Sequence, residues 1–137
     1  MFDVKKTLQS GFSMIELMIS IAIIVVILGL VVPNAMKVLG KGKTASTQNT
    51  LKVINGAILE YKLDVNALPA KLEDLDKRPA DVQGWNGSYL PEKMQGKEVQ
   101  DAWGQPIVYK KNERGSKKAY ELYSNGDPEK EEDRIDA

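Results

Sequence analysis

Cysteine and histidine are both missing from the 137 residues. Without thiols the chain can form no disulfide, no thiolate metal site and no cysteine nucleophile. Without imidazole it lacks the commonest general base and the commonest metal ligand, which argues against an ordinary hydrolytic enzyme. An excess of either charge is missing too. Lys plus Arg and Asp plus Glu each total 19, for a formal net charge of zero. No overall field draws the chain toward nucleic acid or a strongly charged partner, so no nucleic-acid role is expected. There is also no internal repeat and no glycine-rich phosphate loop.

What the chain does have is one long apolar run. Phe12 to Val32 is 21 residues with a single charge, Glu16. At about 1.5 Å per residue a helix of that length spans roughly 31 Å, one bilayer core. A secretory signal would be shorter and would end at a small-residue cleavage site. Here Gly29-Leu-Val-Val-Pro33 leads into further helix-like sequence, so the segment reads as a retained anchor. A plain anchor predicts no acid inside the run, because insertion scales charge a mid-helix carboxylate about 2.5 to 3.5 kcal/mol, less near an end. Glu16 therefore asks for a partner. Residues 1–11 form a short polar leader carrying Lys5 and Lys6, and cutting after Gly11 would create an amine on Phe12, four residues from Glu16. In a low dielectric the Glu16 carboxylate of a neighbouring copy could neutralise that amine.

The stretch Gly11-Phe12-Ser13-Met14-Ile15-Glu16-Leu17-Met18 resembles the class III signal of type IV pilin-like proteins. The resemblance implies cleavage between Gly11 and Phe12 by a prepilin peptidase on the cytoplasmic side and methylation of the new Phe12 amine. It also implies that Glu16 registers an incoming subunit against the growing filament. Charge counting alone would invert this topology, since Lys37, Lys41, Lys43 and Lys52 follow the span while only Lys5 and Lys6 precede it. The leader motif is the more specific signal and is followed here.

Beyond the anchor, Leu51, Ile54, Ile58, Tyr61 and Val65 recur at intervals of three and four, one apolar helical stripe. A helix from about Ser13 to Val65 would be roughly 80 Å long. Pro33 removes a helical hydrogen bond, and Gly40 and Gly42 each weaken a turn by about 1 kcal/mol. Bending or melting is expected there, and two helices joined between Pro33 and Gly42 remain an alternative. Residues 66–100 read as a connector with Pro69, Pro79, Pro91 and a short helix over Lys71 to Lys77. Ile107 to Tyr109 and Tyr120 to Tyr123 read as an antiparallel hairpin. Helix first and strands later make the class α+β. The expected divisions are 1–11, a leader; 12–33, a membrane or filament-core helix; 34–65, an amphipathic helix half; and 66–137, a small C-terminal part.

Three further segments are similar to the major pseudopilins of type II secretion: Trp85-Asn-Gly-Ser-Tyr-Leu-Pro91, Asp101-Ala-Trp-Gly-Gln-Pro-Ile-Val-Tyr109 and Tyr123-Ser-Asn-Gly-Asp127. With the leader, the resemblance covers nearly the whole chain. It implies a type IV pilin-like fold and a non-enzymatic subunit of a periplasmic pseudopilus that drives folded proteins through the outer membrane. The implied partners are further copies of the chain, the prepilin peptidase, minor pseudopilins and an inner-membrane assembly platform. The implied location is the inner membrane, single pass, with a cytoplasmic N-terminus. Trp85 and Trp103 are expected to be packing anchors.

The last eleven residues hold six carboxylates. Calcium takes six to eight oxygens, and a loop dense in acids after a glycine turn can supply them. The resemblance implies calcium on Asn125 (through its carbonyl), Asp127, Glu132 and Asp133. Against it, Arg134 and Ile135 stand where acids are expected, and the chain stops short of the usual last strand. The competing expectation is a frayed, solvated tail. Two other functions remain open: a type IV or competence pilin, and a membrane-anchored binding module or enzyme. The latter would need a pocket of Ser/Lys or paired acids, for which no recognisable spacing exists.

Overall fold

The computed structural model describes residues 11–113, 115–130 and 133–137. Residues 1–10 of the leader thus lie outside the described residues, and its last residue, Gly11, is described. One helix, α1 (Met14–Val65), opens the fold. A 3-10 turn follows at Leu72–Leu75, then strands β1 (Val108–Lys111), β2 (Tyr120–Ser124) and β3 (Ile135–Asp136). The strands form one antiparallel sheet in the order β1-β2-β3. Val108 faces Tyr123, and Ser124 faces Ile135. The chain divides into two compact units, the first ending at Val38 and the second comprising Leu39–Ala137.

In the first unit every described residue is exposed, including Ile19, Ile23 and Ile27. Among the described residues nothing covers this surface, so its apolar side chains require lipid or another protein. Among the described residues α1 is the helix long and apolar enough to cross a membrane.

The expected melting between Pro33 and Gly42 does not occur, since α1 stays helical throughout. Pro33 lacks only its own N–H, while Asn34 Nδ2 donates to the Leu30 carbonyl at 3.3 Å and Thr44 Oγ1 to the Gly40 carbonyl at 3.1 Å. A per-residue penalty near 1 kcal/mol at two glycines is outweighed when the turns on either side are already formed, because propagating a helix is far easier than nucleating it.

The second unit has a core built on the predicted stripe. Leu51, Ile54, Ala57, Ile58 and Tyr61 of α1 are buried against Leu75, Leu90, Ile107, Leu122 and Ile135. Each large aliphatic buried this way contributes about 1.5 to 3 kcal/mol. Helix α1 ends where Asn66 takes a left-handed conformation (φ 56°), a common helix terminator. At Gly84 (φ 84°) the connector comes so close that a Cβ would collide with the Asp64 carbonyl, which pins connector to helix end. The predicted helix over Lys71 to Lys77 shortens to the single 3-10 turn. Asp74 organises that turn, its Oδ2 accepting from the Ala70 and Lys71 amides at 2.9 and 3.1 Å. Trp85 Nε1 donates to the Asp74 carbonyl at 3.1 Å, and both tryptophans pack against the core, as expected of anchors.

A last strand, which the altered tail put in doubt, is present as the two-residue β3. Ile135 is buried, and β3 pairs with β2 through Tyr123 and Ser124. Counting the charges of the tail hid the one aliphatic side chain able to return it to the core.

Tyr109 on β1 donates its hydroxyl to the Pro69 carbonyl at 2.9 Å, and burial pushes its pKa up to about 12. An acid with a raised folded pKa keeps its full contribution to stability below its unfolded value, near 10 for tyrosine, and loses it as pH climbs to the folded value. The second unit should therefore lose stability between about pH 10 and pH 12, and Tyr109→Phe should flatten that segment. Circular dichroism melting of both proteins across this range checks it. Identical slopes would show that Tyr109 does not carry the effect.

Candidate functional site

Two places carry the candidate residues, one in each unit. In the first, Gly11 and Phe12 precede α1 and Glu16 lies in its first turn. Ser13 and Glu16 have the spacing of a reciprocal N-terminal cap. Among the described residues, however, the Glu16 carboxylate makes no hydrogen bond. The bonds recorded there are backbone-directed: Leu17 N–H to the Ser13 carbonyl at 3.1 Å, and Ser20 Oγ to the Glu16 carbonyl at 2.7 Å. Glu16 is exposed among exposed apolar neighbours, with Phe12 84% and Ile15 64% accessible. An acid in a first helical turn gains about 0.3 to 1 kcal/mol from the helix dipole, less than the desolvation it faces in lipid. Its remaining demand is for a cation.

In the second unit Asp101 is the buried centre of a polar network. Its Oδ1 accepts from the Trp103 and Gln105 amides, both at 2.9 Å, and its Oδ2 from Ser124 Oγ at 2.5 Å. Ser124 Oγ in turn accepts from the Gly126 amide at 2.9 Å, and Thr47 Oγ1 on α1 accepts from the Ala102 amide at 3.1 Å. One carboxylate thus ties the 101–105 turn to the end of β2 and the start of the terminal loop. Sequence reading singled out this segment by resemblance and missed the role of Asp101. The available signal was an Asp opening a turn before Trp-Gly-Gln, a pattern in which Asp accepts backbone amides ahead of it.

The terminal loop starts at Asn125 and Gly126. Gly126 has φ 71°, and a Cβ there would collide with the Asp133 carbonyl, so the two ends of the loop touch. Asp133 Oδ2 accepts from the Asp127 amide at 3.1 Å, while Asp127 Oδ1 accepts from the Glu129 amide at 3.1 Å. Of the four residues implied for calcium, Asp127 and Asp133 do come together. Asn125 is exposed beside them, and Glu132 lies outside the described residues. The cation in reach of both acids is a side chain: Lys130 Nζ lies 3.7 Å from Asp127 Oδ2 and 3.9 Å from Asp133 Oδ2. Among the described residues no group of three or more acids converges as a metal site would require.

Past the loop, Arg134 locks β3 to β2. Its guanidinium stacks 3.8 Å above the Tyr123 ring and reaches Asp136 at 2.8 Å and Glu121 at 3.3 Å.

Comparison with known proteins decides what this arrangement belongs to. A profile described as "Type II secretion system (T2SS), protein G" matches residues 34–136, three quarters of the chain. The chain belongs to the type II secretion system protein G family. A second profile, the "Prokaryotic N-terminal methylation motif", matches residues 6–32. The chain is 34% identical over 129 residues to the Type II secretion system core protein G of Pseudomonas aeruginosa, covering 90% of this chain and 87% of that one. It is 32% identical over 118 residues to the protein of the same name from Xanthomonas campestris pv. campestris, covering 86% and 78%. The Aeromonas hydrophila protein of that name is 30% identical over 109 residues. Membership favours the secretion reading over a type IV or competence pilin. The protein G family is a family of structural pseudopilins, and a helix-borne membrane anchor fits it.

Proposed function

We propose that this major pseudopilin of type II secretion is cut between Gly11 and Phe12 by a prepilin peptidase and methylated on the Phe12 amine. It then polymerises by pairing Glu16 of one copy with the Phe12 amine of another. Before assembly α1 holds the subunit in the inner membrane, with the N-terminus cytoplasmic and residues 39–137 periplasmic. The partners are further copies of the chain, minor pseudopilins and the assembly platform, and the polymer drives folded proteins through the outer membrane. The observation that carries this reading is a carboxylate without a partner among the described residues, at the start of the exposed 14–32 stretch of α1, whose other side chains are apolar except for Ser20. Helices apolar on every side are as well accommodated against identical helices as against lipid. Leaving the bilayer for a filament core therefore costs little, and the ion pair supplies direction and register.

Intact mass and N-terminal sequencing of the protein from its native host test the processing. The expected mature chain begins with N-methylated Phe12. A chain still beginning at Met1 would overturn it.

A further inference from the structure

Four lysines on α1 stand where membrane insertion disfavours them. Lys37, Lys41, Lys43 and Lys52 follow the apolar run, and no acid occurs between Glu16 and Glu60. With a cytoplasmic N-terminus the positive-inside rule works against cations on this side of the span, so their presence needs a use beyond topology. All four are exposed, and among the described residues none forms an ion pair. We propose, on the reading of α1 as a membrane anchor, that Lys37 and Lys41 dock on anionic phospholipid headgroups at the periplasmic face of the bilayer. They thereby set the depth at which the unassembled subunit rides.

Helix geometry supports this. Taking Val32 as the last residue in hydrocarbon, Lys37 and Lys41 follow it by five and nine residues, about 8 and 14 Å along a helix. The headgroup layer is about 5 to 8 Å deep on each face. Lysine stems lean toward the N-terminus of their helix, which returns both ammonium groups toward the phosphates. Lys37 reaches them directly, and Lys41, one turn on along the same face, stays within about one Debye length, near 10 Å. Lys43 is held differently, its Nζ 5.9 Å from the centroid of the Trp103 ring. The Ala102 amide, donating to Thr47 Oγ1 at 3.1 Å, keeps that turn against the helix, so a tryptophan and a lysine meet there as they do at membrane boundaries. Lys52 lies twenty residues beyond Val32, about 30 Å, and is out of reach. A neighbouring copy can replace lipid around the apolar run, but residues 17–59 of its α1 hold no acid to replace the headgroups. Docking therefore favours the membrane-bound subunit over the polymer.

Amine labelling of the full chain, read residue by residue by mass spectrometry, tests this in two kinds of vesicle: phosphatidylcholine alone, and phosphatidylcholine mixed with phosphatidylglycerol. The exposed Lys62, far along the same helix, serves as the internal reference in each molecule. A lysine near an anionic surface gains about fivefold in favour of the bound position, so Lys37 and Lys41 should label about three- to tenfold more slowly in the mixed vesicles. Lys52 should not change. Equal rates at Lys37 and Lys41 in the two vesicles overturn the proposal, as does slowing that extends equally to Lys52. Slowing of the same size from millimolar inorganic phosphate in phosphatidylcholine vesicles overturns the assignment to lipid and leaves a site for any phosphate. Flotation with phosphatidylcholine vesicles reads the anchor separately: a chain that does not float removes the anchor reading and the docking with it, and one that floats without slowing removes the docking alone.

Discussion

Glu16→Ala should insert, mature and fold, yet fail to polymerise. The carboxylate is exposed and makes no hydrogen bond among the described residues, so its removal leaves every intramolecular contact of the anchor in place. Insertion should improve slightly, since the cost of an acid near the membrane disappears. Assembly is different. There the partner left behind is an unpaired amine among aliphatic side chains, and stranding one member of a buried pair costs about 3 to 5 kcal/mol. At about 1.4 kcal/mol per tenfold, each subunit addition weakens by roughly two to three and a half orders of magnitude, and a chain of such steps does not propagate. In crosslinking of membranes the ladder of multimers should collapse to the smallest species. Glu16→Gln should fail similarly, because an amide accepts a hydrogen bond without neutralising the charge. A normal ladder from Glu16→Ala would dispose of the pairing scheme while leaving family membership untouched.

Asp101→Ala should be the most damaging single change in the second unit. It orphans two half-buried backbone amides, on Trp103 and Gln105, together with the buried Ser124 hydroxyl. Unsatisfied buried donors cost about 1 to 3 kcal/mol each and add imperfectly, so a loss of about 3 to 6 kcal/mol is expected. Against a total stability of about 5 to 15 kcal/mol that is a large share. For a unit of about 100 residues it should lower the melting temperature by at least about 12 °C. Asp101→Asn keeps an oxygen for the two amides and disturbs mainly Ser124, so about 1 kcal/mol is expected. Thermal melting by circular dichroism in detergent separates the three proteins. If Asp101→Ala melts within a few degrees of wild type, the network around Asp101 is not what binds the terminal loop to the fold.

These two positions also mark how far residue order could be read. Glu16 is legible because its meaning is local: a charge, an apolar run and a glycine before it lie within a few residues of each other. The helical stripe was legible for a related reason, since periodicity acts along a single element, and Leu51, Ile54, Ile58 and Tyr61 are all buried. Pro33, Gly40 and Gly42 were overweighted, because intrinsic preferences are small beside the cooperativity of a helix already formed on both sides. The last strand was missed because two residues, Ile135 and Asp136, leave no periodic signature. Its presence depends on a side chain finding the core, which only the folded chain reveals.

The order of residues alone determined the anchor, its buried-charge problem, the α+β class and the hairpin, since each follows from hydropathy, spacing or a charge beside its neighbours. Only the folded structure decided which acid organises the second unit and which cation faces the terminal loop. Asp101 and Ser124 lie 23 residues apart, and Ala102 and Thr47 are separated by 55. Pairings of that span carry no local signal, because they exist only after apolar burial has brought the segments together.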